Sequence, residues 1–237
     1  MSRIRNALNH RNFAFIAALT TLLFFIAEWV VSATWRGYYG YRTIGIGALG
    51  VPFCGPEGNW PCSRLYPVMN VALVIAGLAV VAVALSWAVR KAVTYPHCIL
   101  LAAAGVGLGY AGVVTEKQDG PAHSGAMIIF MVLGAVAIFL IGSSSSTELP
   151  PKARYFATIA GLVAIVGYFA YLGGSTLSLG QGGVDRLVVY SVFVSLIVLS
   201  WFDRSRTGDD TQDSNRPEAS VPRHAARIDS ADEVTAK

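Results

Sequence analysis

Residues 67–89 read PVMNVALVIAGLAVVAVALSWAV, an apolar run without a charged side chain, and runs of this kind decide the fold. A helix of about 20 apolar residues crosses the hydrocarbon core of a bilayer, which is about 30 Å thick. Five further apolar runs of similar length lie before and after it. The predicted spans are residues 13–33, 67–89, 97–114, 124–142, 155–177 and 187–203.

The composition also places the chain in a membrane rather than in water. Of its 237 residues, 54% are hydrophobic and only 14% are charged, and the mean hydropathy is +0.53. Soluble domains carry about 25% charged residues. We therefore predict an all-α membrane protein, a six-transmembrane-helix bundle with a long outer loop after the first helix.

Three parts of the chain differ in character. Residues 1–12 are predicted to form a cytoplasmic N-terminal segment, and residues 13–203 the six-span helical bundle. Residues 204–237 are polar, contain two prolines and show no apolar period, so they cannot bury enough surface to fold alone. We predict that this last part is a disordered cytoplasmic tail.

Lysine and arginine residues predict the orientation, because short cytoplasmic loops carry an excess of both. Nine of them flank the spans on the side that holds both termini, and five are spread over longer segments on the other side. We therefore expect a multi-pass protein of the plasma membrane with both termini in the cytoplasm. Residues 13–33 resemble a signal peptide in part, but this apolar run exceeds the about 7–15 residues usual there, so we expect an uncleaved anchor.

The predicted outer loop, residues 34–66, carries Cys54 and Cys62 with a turn-rich segment between them. Thiols on the outer face of a plasma membrane meet an oxidising environment. We therefore predict a disulfide between Cys54 and Cys62, which closes a short loop and contributes about 2–3 kcal/mol. The alternative is a metal pair, but the loop contains no histidine, and we expect neither a metal nor another cofactor.

Glu28 is the most unusual residue inside a predicted span. A carboxylate at membrane depth costs several kcal/mol unless it is paired or protonated, and by default it indicates a function. Glu28 is therefore either a functional titrating group or one half of a polar contact that holds the bundle together. The partners that the sequence offers for such a contact are Arg36, Asn70 and His123.

Polar residues at the outer ends of the spans form a second candidate site. An arginine presents a fork of donors to anions, so a cluster that contains it can hold a lipid phosphate or carboxylate. The alternative is structural, with His123 as a donor at a helix start and the Asp185–Arg186 pair as the anchor of the sixth helix. The candidate ligand-binding residues are Arg42, Asn70, His123, Asp185 and Arg186.

Known catalytic motifs are absent from the sequence. It contains no nucleophile elbow, no phosphate-binding loop and no paired zinc-binding histidines. If the protein is an enzyme, its candidate acid/base residues are Glu28 and His123. A basic patch with interleaved aromatic residues is also missing, so we expect no nucleic-acid partner.

Five short motifs, in order along residues 12–203, resemble a bacterial six-span membrane family, the domain of unknown function 998. They begin at Tyr41-Arg42-Thr43-Ile44, Met69-Asn70, Gly105, His123-Ser124-Gly125-Ala126 and Gly182-Gly183-Val184-Asp185-Arg186. The resemblance implies the six-span architecture. A looser similarity to eukaryotic six-span proteins of lipid and autophagy pathways implies, by analogy, lipid handling.

One departure from the family pattern bears on activity. Family members carry a Ser-Asp-Leu-Gly-like motif where this chain reads Gly47-Ala48-Leu49-Gly50. If the aspartate is catalytic in relatives, the resemblance implies that this chain is inactive. Glu116 resembles the glutamate of a Pro-Glu motif in the family, with Thr115 in place of the proline.

The sequence favours a non-enzymatic protein that binds membrane lipid, or an accessory subunit in a complex for cell-envelope lipid transport or synthesis. The expected partners are membrane lipid and another membrane protein. Two alternatives stay open at this point. One is a lipid-modifying enzyme that acts at the outer leaflet, and the other is a proton-coupled small-solute transporter that uses Glu28.

Overall fold

A computed structural model of the chain describes residues 2–53, 62–175 and 178–214. Every regular element in these ranges is a helix. The α-helices are α1 (Ser2–Asn9), α2 (Arg11–Thr20), α3 (Leu22–Ala33), α4 (Tyr66–Arg90), α5 (Tyr95–Val113), α6 (Gly120–Ser143), α7 (Pro151–Leu172) and α8 (Gln181–Ser214). A short 3₁₀ helix, Gly47–Gly50, lies in the loop between α3 and α4.

Six helical segments are long and apolar enough to cross a membrane, which confirms the predicted all-α six-helix bundle. They are α4, α5, α6, α7, the part of α8 from Gln181 to Ser205, and the segment Asn12–Ala33 formed by α2 and α3. The first predicted span is thus divided at Thr21, whose hydroxyl donates to the carbonyl of Ala18 at 2.7 Å. The chain is an integral membrane protein, because such apolar lengths are stable only in lipid.

The starts of α4 to α7 follow directly from the sequence. Each has a proline in its first turn, where the missing N–H is not needed by the helix. The N-cap of α6 is Asp119, whose carboxylate accepts from the backbone N–H of Ala122 at 3.0 Å. Lys91, in the left-handed conformation with φ of 57°, ends α4.

Helices α4, α5, α6 and α7 pack in sequence order, each against the next. Gly77 permits the close approach of α4 to α5, since a Cβ atom there would lie 2.5 Å from the carbonyl oxygen of Gly105. Gly161 does the same between α7 and α6, where a Cβ atom would lie 2.5 Å from the amide nitrogen of Phe139. Small residues at such contacts are typical of helix packing in membranes.

Helix α8 is the most buried of the six spans. Phe193 at its centre packs edge-on against Phe24 of α3, with ring centroids 5.1 Å apart, and lies 5.6 Å from the ring of Phe130 on α6. A buried ion pair joins α8 to α4, between Asp203 and Arg90, and Trp87 also donates to Asp203 at 3.2 Å. These contacts fix α8 against both the first span and the middle of the bundle.

The described parts of the loop between α3 and α4 fold back onto the bundle. Its two ends are joined by a hydrogen bond from the N–H of Arg36 to the carbonyl of Cys62 at 2.7 Å. Its 3₁₀ helix packs on α3 and α4, with Leu49 fully buried, and Asn70 donates to the carbonyl of Gly50 at 3.1 Å. We call the end of the bundle that carries this loop, together with the α5–α6 and α7–α8 connections, the loop end.

Two predictions concern residues that the structure describes only in part. Cys54 lies outside the described residues, so its disulfide with Cys62 stays a prediction; Cys62 itself is buried. The described residues up to Arg204 form one compact unit, and residues 205–214 belong to a second. Helical structure extends to Ser214, beyond the predicted bundle end at 203, and residues 215–237 of the predicted tail lie outside the described residues.

Candidate functional site

Glu28 and Arg186 form an ion pair inside the bundle near its loop end. The Nε of Arg186 donates to Oε1 of Glu28 at 2.6 Å, and both side chains are more than nine-tenths buried. The hydroxyl of Tyr190, one helical turn after Arg186, donates to Oε2 of Glu28 at 2.5 Å. Both carboxylate oxygens are therefore bonded, which is what a buried carboxylate requires.

The remaining donors of Arg186 hold the loop. Its Nη1 donates to the carbonyls of Tyr41, Ile44 and Gly182 at 2.7–2.9 Å, and its Nη2 donates to the hydroxyl of Tyr39. The guanidinium also lies over the ring of Tyr41, 4.9 Å from its centroid. One side chain thus joins α8, α3 and the loop, a structural role that uses all of its donor groups.

Tyr39 shows how closely the loop is packed here. It is only 7% exposed, whereas the neighbouring Tyr38 is 90% exposed. Burial raises the pKa of Tyr39 to about 12, against the opposing influence of Arg186. Tyr39 therefore belongs to the interior of the polar cluster rather than to the exposed surface of the loop.

These contacts change what the sequence-predicted residues can do. The partner of Glu28 is Arg186, whereas the sequence had offered Arg36, Asn70 and His123. Asn70 instead holds the 3₁₀ helix through Gly50.

Arg186 is committed to Glu28 and to the loop, so it does not present a free fork to an anion. Arg42 is exposed at the loop end, where its Nη2 donates to the carbonyl of Ser178 at 2.6 Å. The two arginines of the predicted anion site are therefore both engaged by the protein itself.

A cavity of about 400 Å³ lies beside this cluster, between the loop and helices α6, α7 and α8. His123 and Asp185 line it, whereas Glu28, Arg42, Asn70 and Arg186 do not. The full lining is Thr43, Gly45, Gly47, Ala48, Glu116, His123, Ser124, Met127, Ile128, Met131, Tyr171, Gln181 and Asp185. The sequence-predicted residues are thus divided between a structural cluster and a cavity.

His123 gives the cavity its most unusual atom. Its Nδ1 lies 3.0 Å from the carbonyl of Ala111 and 2.9 Å from that of Val114, so Nδ1 must carry a proton, because a carbonyl only accepts. Its Nε2 is buried and has no hydrogen-bond partner. Such a group is costly unless something outside the described protein atoms satisfies it.

Two glycines of the loop leave space beside these polar groups. A Cβ atom on Gly47 would lie 3.0 Å from Nε2 of His123 and 3.3 Å from Oε2 of Glu116. A Cβ atom on Gly45 would lie 3.2 Å from Oδ2 of Asp185. This oxygen accepts a hydrogen bond from the backbone N–H of Ile46 at 2.8 Å. The position beside Gly47 is therefore flanked by an imidazole nitrogen and a carboxylate oxygen.

The other half of the cavity is apolar. Met127, Ile128 and Met131 continue along α6 from His123, and eight residues of helix correspond to about 12 Å. Ile128 is 40% exposed on the outer surface of the bundle, so this side of the cavity borders the surface that faces lipid. Among the described residues, no group of three or more His, Cys, Asp or Glu side chains is placed to hold a metal ion.

Sequence reasoning missed five polar residues of the lining as site residues: Thr43, Glu116, Ser124, Tyr171 and Gln181. Glu116 carried a signal, since it resembles the glutamate of the family motif and precedes the N-cap of α6 by three residues. Tyr171 and Gln181 gave no such signal, because tyrosine and glutamine are common residues at the end of a membrane span.

Comparison of the chain with family models, with curated proteins and with solved structures finds no match in any of the three. The resemblance to the domain of unknown function 998 therefore stays a prediction. The function has to be argued from the geometry of the cavity.

Proposed function

We propose that the protein binds a membrane lipid, with the polar group of the lipid in the cavity beside His123 and its chain along α6. The observation that carries this proposal is the buried, unpartnered Nε2 of His123, a residue that lines a cavity with one polar and one apolar half. Ligand pockets combine a mostly apolar wall with a few convergent polar groups. A membrane lipid is divided in the same way, into a polar headgroup and an apolar chain.

The position of the cavity agrees with such a ligand. It begins at the loop end, where α6 starts, and extends along α6 into the predicted span. The exposed side of Ile128 offers a lateral approach from the bilayer. The distribution of lysine and arginine supports a site in the outer leaflet of a plasma membrane. The family resemblance supports a bacterial plasma membrane.

Lipid binding is favoured over the two alternative functions by the contacts of Glu28. A proton-coupled transporter, and an enzyme with Glu28 as acid/base, both need this carboxylate to exchange protons. Its oxygens accept hydrogen bonds from Arg186 and Tyr190 instead. Nδ1 of His123 donates to backbone carbonyls and not to a carboxylate, so the described contacts of His123 do not form the histidine–carboxylate pair that is common in acid/base catalysis.

Purification in mild detergent with mass spectrometry of the bound lipid tests the proposal. The wild-type protein is expected to carry lipid, and Gly47→Val to lose most of it, because the new side chain fills the position beside His123. Gly109→Val is the matched control, since a Cβ atom at Gly109 meets nothing within 4 Å. Equal lipid content in all three proteins, or none in the wild type, contradicts lipid binding in this cavity.

The same purification tests the accessory role. A membrane protein recovered in constant ratio with the chain supports a subunit of a lipid transport or synthesis complex. Recovery of the chain with lipid alone supports a protein that binds lipid by itself.

A further inference from the structure

We propose that the polar group which the cavity accepts is a primary ammonium, so that the bound lipid is an amine-bearing one. This inference rests on the proposed function for the position of the ligand, but it is argued from different atoms. The sequence had indicated an anion, a phosphate or carboxylate held by arginine. The hydrogen-bonding and charge character of the lining points to the opposite sign.

The first step is the tautomer of His123. Nδ1 donates to backbone carbonyls, so in the neutral ring, the form that we propose binds the ligand, Nε2 carries a lone pair and accepts. The atom that satisfies it must therefore carry a hydrogen. A fully ionised phosphate or carboxylate has no hydrogen to offer.

The second step is the charge of the lining. It contains the carboxylates of Glu116 and Asp185, and no lysine or arginine is among the described residues that line it. The one buried arginine in this region, Arg186, is paired with Glu28. A cavity with acidic groups and no cation of its own attracts a positively charged ligand and repels an anion.

The third step is geometry. Nε2 of His123 and Oε2 of Glu116 lie on two sides of the space above Gly47, at 3.0 and 3.3 Å from the position of an added Cβ atom. These two acceptors are therefore no more than about 6 Å apart, a separation that one nitrogen can bridge with a hydrogen bond to each. A primary ammonium has three donors, so it can bond both and keep one for a third oxygen of the lining.

The experiment compares probes that share one twelve-carbon chain. These are dodecylammonium, dodecyltrimethylammonium, dodecanol and dodecyl phosphate, added to the full-length protein in mild detergent, with ethylammonium as a probe that has no long chain. Binding is measured by native mass spectrometry and by the shift in the thermal unfolding midpoint. Dodecylammonium is expected to bind about tenfold more tightly than its trimethyl analogue, which keeps the charge but cannot donate.

Two variants locate the effect. Glu116→Gln is expected to weaken dodecylammonium about tenfold, because the charge-assisted hydrogen bond is lost. Glu148→Gln is the matched control, an exposed glutamate in the α6–α7 connection that is expected to leave binding unchanged. Gly47→Val is expected to abolish binding of every long-chain probe.

The outcomes separate the two proposals. Equal or tighter binding of dodecyl phosphate or of the trimethyl analogue overturns the ammonium inference and leaves lipid binding supported. Equal binding of ethylammonium and dodecylammonium overturns the lipid proposal and supports an ammonium site for a small amine. Failure of all probes to bind overturns both.

Discussion

Replacement of Arg186 by methionine tests the polar cluster that fixes the loop to the bundle. The variant removes the partner of Glu28 and leaves the carboxylate with Tyr190 as its remaining donor. It also takes the donor from three backbone carbonyls, those of Tyr41, Ile44 and Gly182. Methionine keeps a similar volume, so the change is mainly one of hydrogen bonding and charge.

The expected loss in the free energy of unfolding is about 3–5 kcal/mol, the cost of leaving one half of a buried ion pair without its partner. The double variant Glu28→Leu/Arg186→Met removes the unpaired carboxylate as well. It is therefore expected to be more stable than Arg186→Met alone by about 1 kcal/mol or more. This recovery distinguishes an unpaired charge from a simple packing defect.

The assay is equilibrium unfolding in mixed detergent micelles, followed by tryptophan fluorescence. Arg64→Met is the matched control, because Arg64 is an exposed arginine at the same end of the bundle. It is expected to change the free energy of unfolding by less than about 0.5 kcal/mol. The reasoning is refuted if Arg186→Met is as stable as Arg64→Met, or if the double variant is less stable than Arg186→Met.

Three further predictions concern packing, ionisation and the loop cysteines. Gly77→Ala should destabilise the bundle by about 1–3 kcal/mol in the same unfolding assay, since its Cβ atom would meet the α5 backbone, whereas Gly109→Ala should have little effect. Tyr39 should ionise near pH 12 in an absorbance titration compared with Tyr39→Phe, and ionisation near pH 10 contradicts its burial. Because its folded pKa lies above the ordinary value of 10.0, its contribution to stability is complete below about pH 10 and falls as the pH rises towards 12. Peptide mapping without reduction should recover Cys54 joined to Cys62, and two free thiols there would contradict the predicted disulfide.

The six spans could be predicted because apolarity over about 20 residues is a local property of the sequence. Glu28 could be singled out for the same reason, since a carboxylate in such a run is conspicuous. Its partner could not be found, because Arg186 lies 158 residues away and only the packing of α3 against α8 brings them together. Tyr190 offered a usable signal, as it lies one helical turn from Arg186 and so shares its face.

The cavity could not be predicted from the sequence, for a different reason. Gly47 was noticed only as the place where the serine of the family motif is missing. In the structure its lack of a side chain leaves the space between Nε2 of His123 and the carboxylate of Glu116. A space is a property of the surrounding atoms, and no pattern in one sequence specifies it. The sequence likewise could not show that Arg186, a residue of the expected anion site, is paired with Glu28.

Nitrogen-15 NMR of histidine-labelled protein in lipid nanodiscs tests the central claim most directly, because it observes the unpartnered nitrogen of a residue that lines the cavity. The signals of His123 are assigned by comparison with His123→Gln. The account predicts a neutral ring with the proton on Nδ1, and a shift of the Nε2 signal when dodecylammonium is added, with the signals of His97 unchanged. A proton on Nε2 instead, or an Nε2 signal that dodecylammonium leaves in place, would contradict it.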